Sequence, residues 1–567
     1  MNKSSDRVLL APKKREFFKL GAVAGISGYL ASHAIEASGK DIKPPATKPY
    51  LEPLPVYGPK LEAVVVDPLP QEYPHPDEAG RDPHQGWDHW PPQKTYIMEV
   101  KEAWHSFHPH LRPQKIWGYD GILPGPTIVA REGEPIIVRY VNLLEPDASS
   151  FGSPEISTHL HNGHAASESD GFAGNYFSPT KAGPTLSRPG KYYDCLYTNC
   201  YAGYDKWPDT DGDSREGLGT LWYHDHREHF TAANVYKGLA GFYLIFDHID
   251  SGDEDDPSDT ALRLPSGVGV YDIPLIIQDQ MFDASGTRIF NQFDTDGFLG
   301  NKIALNGKIA PFFEVARRKY RFRVLNGSVA RFYHLSIRHK GIDLPFQVIA
   351  NDGNLLPAAV PMTSFGLAPA ERIDIVVDFS AAPIAIGDEL FLIDRIRQDK
   401  GRGPETLLSA TGSPIMRFNV DRDEADNSRV PPLLRELPPM DLKSVRQKRH
   451  FEFERFNGVW EINGKTFDVE KPVFKVKRGA AEIWTLEGKG SWHHPIHIHM
   501  EEARILSRSG KPPPPHEAGR KDVIVLKPGE TVKVFIQFRD FVGKYMMHCH
   551  NTIHEDHAMM LRFDVEE

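Results

Sequence analysis

The segment His548–Met559, HCHNTIHEDHAM, gathers four histidines, a methionine and one of only three cysteines in a chain of 567 residues. Each of these side chains can give a nitrogen or sulfur lone pair to a transition metal. His-x-His pairs recur at His159/His161, His224/His226 and His497/His499, matching His548/His550 inside the segment, with His108/His110 as a fifth. Random placement of 26 histidines gives about one such pair, so the recurrence is a signal. On a strand, residues i and i+2 point to the same face, so each pair can offer two imidazoles to one site. Four pairs supply eight imidazoles, more than one mononuclear ion uses, which implies a cluster. Imidazole suits copper, zinc, iron or nickel. Two pairs lie within 159–226 and two within 497–550, so the cluster is expected where an early and a late part of the chain meet.

Cys549 narrows the metal. If His548 and His550 face one way, Cys549 faces the other and can bind a second metal behind the same strand. Cys549, His554 and Met559 are three of the four ligands of a blue-copper electron-transfer site, and HHPIHIH (493–499) can add His494. Zinc fits worse, because a redox-inert ion has no use for a thioether ligand. An electron reaching the thiolate would have a short covalent route through His548 and His550 to the cluster.

The elements that must position these residues read as strands. Short alternating runs such as KTYIMEV, PTIVAREGEPIIVRYVN, KYRFRVLN, RIDIVVDF and TVKVFIQF are rich in Val, Ile, Phe and Tyr, with Gly, Pro and Asn between them. Long amphipathic helices are scarce, and the pattern is all-β. Three blocks share a loose plan, with comparable strand runs at GEPIIVRYVN, RRKYRFRVLN and RGAAEIWTLE. They predict three copies of one β-domain, at 93–250, 251–425 and 426–567, a count that suits 567 residues. Residues 40–92 are proline-rich and polar, and are expected to form an extended arm on the surface.

A formal net charge of -11 gives no basic footprint, so nucleic acid is not an expected partner. Lys13, Lys14 and Arg15 precede a short, weakly apolar run from Leu20 to Ala34, which reads as an export signal over 1–39 and is too mild to span a bilayer stably. KREFFK within it resembles a twin-arginine signal, with Lys14 in place of the first arginine. A periplasmic or extracellular location is therefore expected.

The motifs together resemble the multicopper oxidase family. HCHNTIHEDHAM resembles its H-C-H-x3-H-x4-M element and HPIHIH (494–499) its H-P-x-H-x-H element, while THLHNGH (158–164) and WYHDH (222–226) resemble the other two. WGYDGILPGPTI (117–128), NVYKGLAGFYLI (234–245), LNGKIAPFFEVARRKYRFRVLN (305–326) and LAPAERIDIVVDF (367–379) are similar to the bacterial spore-coat laccase and bilirubin oxidase branch. The resemblance implies three cupredoxin domains, which are Greek-key β-sandwiches, and four copper ions. By position it implies His494, Cys549 and His554 with axial Met559 as type 1 ligands, and His159 and His497 as type 2 ligands. His161, His224, His226, His499, His548 and His550 would hold the type 3 pair. It implies single electrons taken from a donor at type 1 and dioxygen reduced to water at the cluster. Glu555 and Asp170 match acidic residues that relay protons in that branch.

Other residues carry plainer expectations. His108/His110 match no ligand motif and read as loop residues; His164, His229, His493 and His557 sit at the wrong spacing and read as neighbours of the site or surface groups. Cys195 and Cys200 are the only pair left beside Cys549, and in an exported protein a disulfide is expected. PDTDGDSRE (208–216) reads as a polar turn rather than a calcium loop, its glycine lying one step too early. The branch favours a phenol, aromatic amine or tetrapyrrole-like donor. The rival is a metal oxidase acting on Cu(I), Fe(II) or Mn(II). With 11 methionines and no cluster of them before the HPIHIH motif, Cu(I) is disfavoured, whereas Glu501, Glu502 and Glu517 are candidate carboxylates for Mn(II) or Fe(II). A non-catalytic copper carrier would leave the eight cluster histidines without a role, and a nitrite reductase has two domains per subunit.

Overall fold

β-Branched and aromatic runs become strands along nearly the whole chain, because their side chains pack on a pleated surface and Gly, Pro and Asn supply the turns between them. The computed structural model describes residues 42–56, 61–146, 151–206, 212–404, 406–407 and 411–567; the expected export signal lies outside them. Strands take 42% and helices 4%, so the chain is all-β as expected. No helix among the described residues is long and apolar enough to cross a membrane.

The sheets fall into three groups. Two four-stranded sheets between Lys94 and Phe246 enclose Tyr119, Val138, Tyr223 and Tyr243. An eight- and a six-stranded sheet between Asp272 and Asp423 enclose Leu275, Phe322, Ile375 and Phe418. A six- and a five-stranded sheet between Val445 and Glu566 enclose Trp484, Ile496, Val534 and Phe563. The three runs singled out in the sequence hold the same place in each group. Ile136–Asn142, Lys319–Asn326 and Ala481–Gly488 each pair in parallel with the first long strand of their own group, at Lys94–His105, Asp272–Phe282 and Val445–Phe456.

Eight elements serve the site: β1 (Thr158–His161), β2 (Thr220–Asp225), α1 (Thr231–Lys237), β3 (Arg372–Asp378), β4 (His494–Ile498), β5 (Val523–Leu526), β6 (Gly543–Cys549) and α2 (Thr552–Asp556). β1 and β2 are antiparallel, with His159 opposite His224. β4 and β6 are antiparallel, with His497 opposite His548 and Ile496 opposite Cys549. The two-residue period then sorts the side chains. His494, Ile496, Ile498, Met547 and Cys549 share the face that packs in the last core, and His497, His499, His548 and His550 occupy the other.

Most of the described residues of the proline-rich arm are exposed or half-buried. It is extended and without regular strands among its described residues. Tyr50 N–H donates to Ala310 O at 2.8 Å, Ala79 N–H to Tyr192 O at 2.9 Å and the Gln85 amide to Val542 O at 3.0 Å, so the arm touches all three groups. Leu54 is buried in the middle core and Trp90 in the last. The expected disulfide is not formed, since Cys195 and Cys200 are free thiols. The strand Tyr192–Tyr197 turns Cys195 into the first core, while Cys200 packs with the last core and stands 3.3 Å from Thr198 Oγ1. The two thiols therefore look into different cores. Residues 207–211 of the polar turn lie outside the described residues; beyond them, Asp213 caps the short turn Ser214–Glu216 and pairs with Arg215 at 2.8 Å.

Candidate metal centres

β1, β2, β4 and β6 bring the eight paired histidines to one place, all of them buried. His159 stacks on His499 at 3.9 Å and His161 on His497 at 3.7 Å between ring centroids. Ring nitrogens of His159, His497 and His499 lie within 4.8 Å of one another, as do those of His159, His161 and His224 and those of His226, His499 and His548. On most rings one nitrogen has an outward partner. His159 Nδ1 donates to Asp170 O, His224 Nδ1 to Asp225 O at 2.8 Å and His497 Nδ1 to Asp522 O at 3.0 Å. His499 Nδ1 meets Asp170 Oδ2 at 2.7 Å and His161 Nε2 meets Asp522 Oδ1 at 3.2 Å. Glu555 stands 3.0 Å from His548 Nδ1 and 3.5 Å from His226 Nδ1.

The other nitrogens turn inward and meet only each other. His159 Nε2 and His497 Nε2 are 3.3 Å apart; His226 Nε2 and His499 Nε2 are each 3.1 Å from His548 Nε2. His161 Nδ1, His224 Nε2 and both nitrogens of His550 have no hydrogen-bond partner. Buried lone pairs without partners are costly unless an ion completes them, and rings fixed by outer acceptors are the usual setting of metal-bound imidazole. Burial, reinforced by neighbouring imidazoles, pushes His224 down to about 3 and His159, His161, His497, His499 and His550 well below the ordinary range. His226 is brought down to about 4 by burial, with Glu555 opposing. Such rings are neutral at ordinary pH, the form that ligates.

The second centre lies on the other face of β6. Cys549 Sγ is 3.5 Å from His494 Nδ1 and 3.6 Å from His554 Nδ1. α2 returns His554 to the thiol: Asn551 accepts from Ile553 N–H at the helix start, and Cys549 N–H donates to Met559 O at 3.1 Å. Met559 is fully buried in the same core as Cys549. Burial pushes the Cys549 thiol well up, so a thiolate there requires a cation beside it. A soft thiolate, two imidazoles and a buried thioether fit copper.

Known proteins match the chain in sequence and in fold. Multicopper oxidase family models match residues 99–201 and 437–567. The bilirubin oxidase of Albifimbria verrucaria is 34% identical over 558 residues, covering 96% of this chain and 88% of that protein. The laccase of Bacillus subtilis is 32% identical over 530 residues, covering 84% and 95%. The chain belongs to the multicopper oxidase family. McoA multicopper oxidase from Aquifex aeolicus superposes with a TM-score of 0.69 at 28% identity, over 84% of this chain and 97% of that one. A laccase from Pediococcus acidilactici shares the fold, with a TM-score of 0.72 at 24% identity over 94% and 97%. This is a laccase-like multicopper oxidase, a copper oxidoreductase that uses dioxygen.

Three acids line this oxidase's cluster, and the sequence pointed to two of them. Asp170 holds His159 and His499, and its Oδ1 makes no hydrogen bond, lying 3.6 Å from His159 Nδ1. Burial, with Glu168 nearby, pushes its carboxyl well up. Glu555 feels the same burial penalty, but His548 and His226 outweigh it and bring its carboxyl down to about 2. Asp522 was missed. It sits just before β5 with no histidine motif around it, and β5 pairs with β4, the strand that carries His494 and His497. Asp556, unassigned in the sequence, accepts from Thr231 N–H at 2.9 Å and Ala232 N–H at 3.0 Å, and so docks α2 on the start of α1.

The remaining histidines have other partners. His164 Nε2 meets Asp540 at 2.8 Å, His229 Nδ1 meets Asp556 O at 2.9 Å and His557 Nδ1 meets Ile553 O at 2.8 Å. His493 packs on Phe332 with ring centroids 5.6 Å apart. His108, read as a loop residue, is buried and its Nε2 meets Lys48 O at 2.8 Å, pinning the arm; His110 is exposed.

Proposed function

We propose that this multicopper oxidase takes single electrons from a phenolic, aromatic amine or tetrapyrrole-like donor at the Cys549 centre and passes them along β6 to the histidine cluster. The observation that carries the reading is one strand serving two centres: Cys549 on one face, His548 and His550 on the other. Four copper ions would be held, one by His494, Cys549, His554 and Met559, one by His159 and His497, and two by His161, His224, His226, His499, His548 and His550. Bound there, copper supplies one-electron oxidation of the donor and four-electron reduction of dioxygen to water.

The chain's own groups do the rest. His554 Nε2 donates to Asp296 O at 3.1 Å, and Trp460 lies over the His554 ring at 3.7 Å. Asp296 is held by Arg402 at 2.8 Å and Arg455 at 2.7 Å, so the roof over His554 is aromatic and peptide rather than open acid. Trp460 is itself buried, and this roof offers a naked metal cation no unpaired carboxylate. The carboxylates considered for Mn(II) or Fe(II) are already paired: Glu501 with Arg539, Glu502 with Arg520 and Glu517 with Arg508. Asp170 Oδ1 and the Glu555 carboxylate hold and release protons at the cluster edge, the role expected of acids in contact with ligand imidazoles. The grouping of the sheets supports three cupredoxin domains at 93–250, 251–425 and 426–567, and the charged, weakly apolar start of the chain supports export to the periplasm or beyond.

Steady-state oxidation of phenols, bilirubin, Fe(II), Mn(II) and Cu(I), each with oxygen uptake recorded, tests the reading. Organic donors should be oxidised with four electrons per dioxygen. Fe(II), Mn(II) or Cu(I) outrunning every organic donor would replace it with the metal-oxidase reading, and no oxygen uptake with any donor would end the oxidase reading.

A further inference from the structure

The middle sheets provide no copper ligand, yet they reach the cluster through one buried fork. Arg372, the first residue of β3, donates from Nη1 to Asp522 Oδ1 at 2.8 Å and from Nη2 to Oδ2 at 2.6 Å. Both side chains are buried. Asp522 Oδ1 also meets His161 Nε2 at 3.2 Å, and its carbonyl accepts from His497 Nδ1 at 3.0 Å. One residue thus holds a cluster histidine from the first group of sheets and another from the last. Arg372 Nε further donates to Thr220 O at 3.2 Å, at the start of the strand that carries His224.

Asp352, also in the middle group, tightens the same junction. Its Oδ2 accepts from Val523 N–H at 3.1 Å and pairs with Lys521 Nζ at 2.7 Å, so both neighbours of Asp522 are tied to it. Its carbonyl accepts from the Asn162 amide at 2.6 Å, one residue beyond His161. Its Oδ1 accepts from Arg372 N–H at 3.2 Å.

We infer that Arg372 and Asp352 form a keystone, with Arg372 acting as a positioning residue. Through Asp522 it sets the orientation of the His161 and His497 rings, so the copper cluster assembles only on the middle sheets although they touch no metal. The inference rests on the ligand assignment proposed above. A buried ion pair contributes little net stability compared with well-packed apolar side chains, so stability alone is a poor account of this one. A planar guanidinium fixes the plane of the carboxylate it forks, which a lysine ammonium does not.

Full-length Arg372→Met and Arg372→Lys, with Arg318→Met as control, test this. Arg318 is a buried arginine between two strands of the middle group; its Nη2 donates to both oxygens of Glu254 at 2.6 and 2.7 Å, and its partners include no cluster residue. The measurements are copper per chain, the blue absorbance, the type 2 electron paramagnetic resonance signal, chelator-competed copper affinity, and the melting temperature of the copper-free chain. Arg372→Met should keep the blue band and lose the type 2 signal, with cluster affinity down about 10- to 100-fold, the usual cost of losing an outer partner of a ligand. Arg318→Met should melt earlier and load copper fully. If Arg372→Met does not fold, Arg372→Lys decides: it should melt like the wild type and still show a reduced type 2 signal. A full type 2 signal and wild-type affinity in the Arg372 variants would overturn the keystone, as would an equal loss of cluster copper in Arg318→Met. A wild-type chain that loads no cluster copper would instead overturn the ligand assignment on which the keystone stands.

Discussion

Glu555→Gln separates a carboxylate that handles protons from one that only fills space. Glu555 Oε2 lies 3.0 Å from His548 Nδ1 and Oε1 3.5 Å from His226 Nδ1, while the far nitrogens of those two rings face each other at 3.1 Å. A carboxylate offers an acceptor to both rings; an amide offers one oxygen and turns a donor toward the other. Glutamine therefore forfeits one charge-assisted contact, about 1.5–3 kcal/mol, and removes the ionisable group. A placed acid or base contributes about 10²- to 10⁴-fold to a rate, or about 2.7–5.4 kcal/mol of barrier. Oxygen uptake by the variant should fall by that factor, while anaerobic bleaching of the blue band by a donor proceeds at the wild-type rate. Glu555→Asp withdraws the carboxylate by about 1.5 Å, one carbon–carbon bond, and should fall between the two. Stopped-flow reduction and an oxygen electrode, on samples matched for copper, measure both halves. A fully loaded Glu555→Gln that turns over within about threefold of the wild type would refute the proton role, as would equal slowing of bleaching and turnover.

Three further outcomes are expected. Cys549→Ser exchanges a soft thiolate for a hard hydroxyl, so the blue absorbance and donor oxidation should disappear while cluster copper stays; a persistent blue band would contradict the assignment. Burial, with Asp247 nearby, pushes the Glu132 carboxyl up to about 8 from 4.5, so the stability it contributes is complete below 4.5 and is lost as pH rises through 8. Glu132→Gln does not titrate; its unfolding free energy should gain on the wild type between pH 5 and 8, by at most about 1.4 kcal/mol per pH unit, and a constant difference would refute the shift. Chelating the copper should lower the melting temperature, because ions that bind only the folded chain contribute about 4 kcal/mol at a thousand times their dissociation constant; calorimetry with and without chelator reads the change.

The legible part of the site is the part written locally. A His-x-His pair on a strand commits two rings to one face whatever the rest of the chain does, and Cys549 between two histidines must then face the opposite core. The strands themselves were visible for the same reason, as runs such as KYRFRVLN that suit a pleated sheet. What was not legible joins distant residues. His161 meets Asp522 across 361 positions and Arg372 meets Asp522 across 150, with no repeated spacing to announce either contact. The disulfide expectation failed because it paired Cys195 with Cys200 by elimination; which core each thiol enters is decided by packing. The arm was legible only in outline. Its prolines mark extended chain, but the burial of Leu54 and Trp90 depends on grooves formed by other sheets.

The three acids around the cluster divide by the permanence of their counter-charge. Asp522 is forked by Arg372 and cannot exchange that cation, since a guanidinium keeps its protons in any protein. Asp170 and Glu555 meet imidazoles and no arginine, and Asp170 Oδ1 makes no hydrogen bond, with His159 Nδ1 3.6 Å away. Imidazole changes its charge with its surroundings, and a bound cation displaces protons from groups of this kind. An acid locked to arginine is suited to holding rings at a fixed angle. An acid that meets only imidazoles is suited to passing protons. Exchanging the two settings, by placing a permanent cation beside Asp170 or removing the one beside Asp522, would therefore damage different properties: proton supply in the first case and assembly of the cluster in the second.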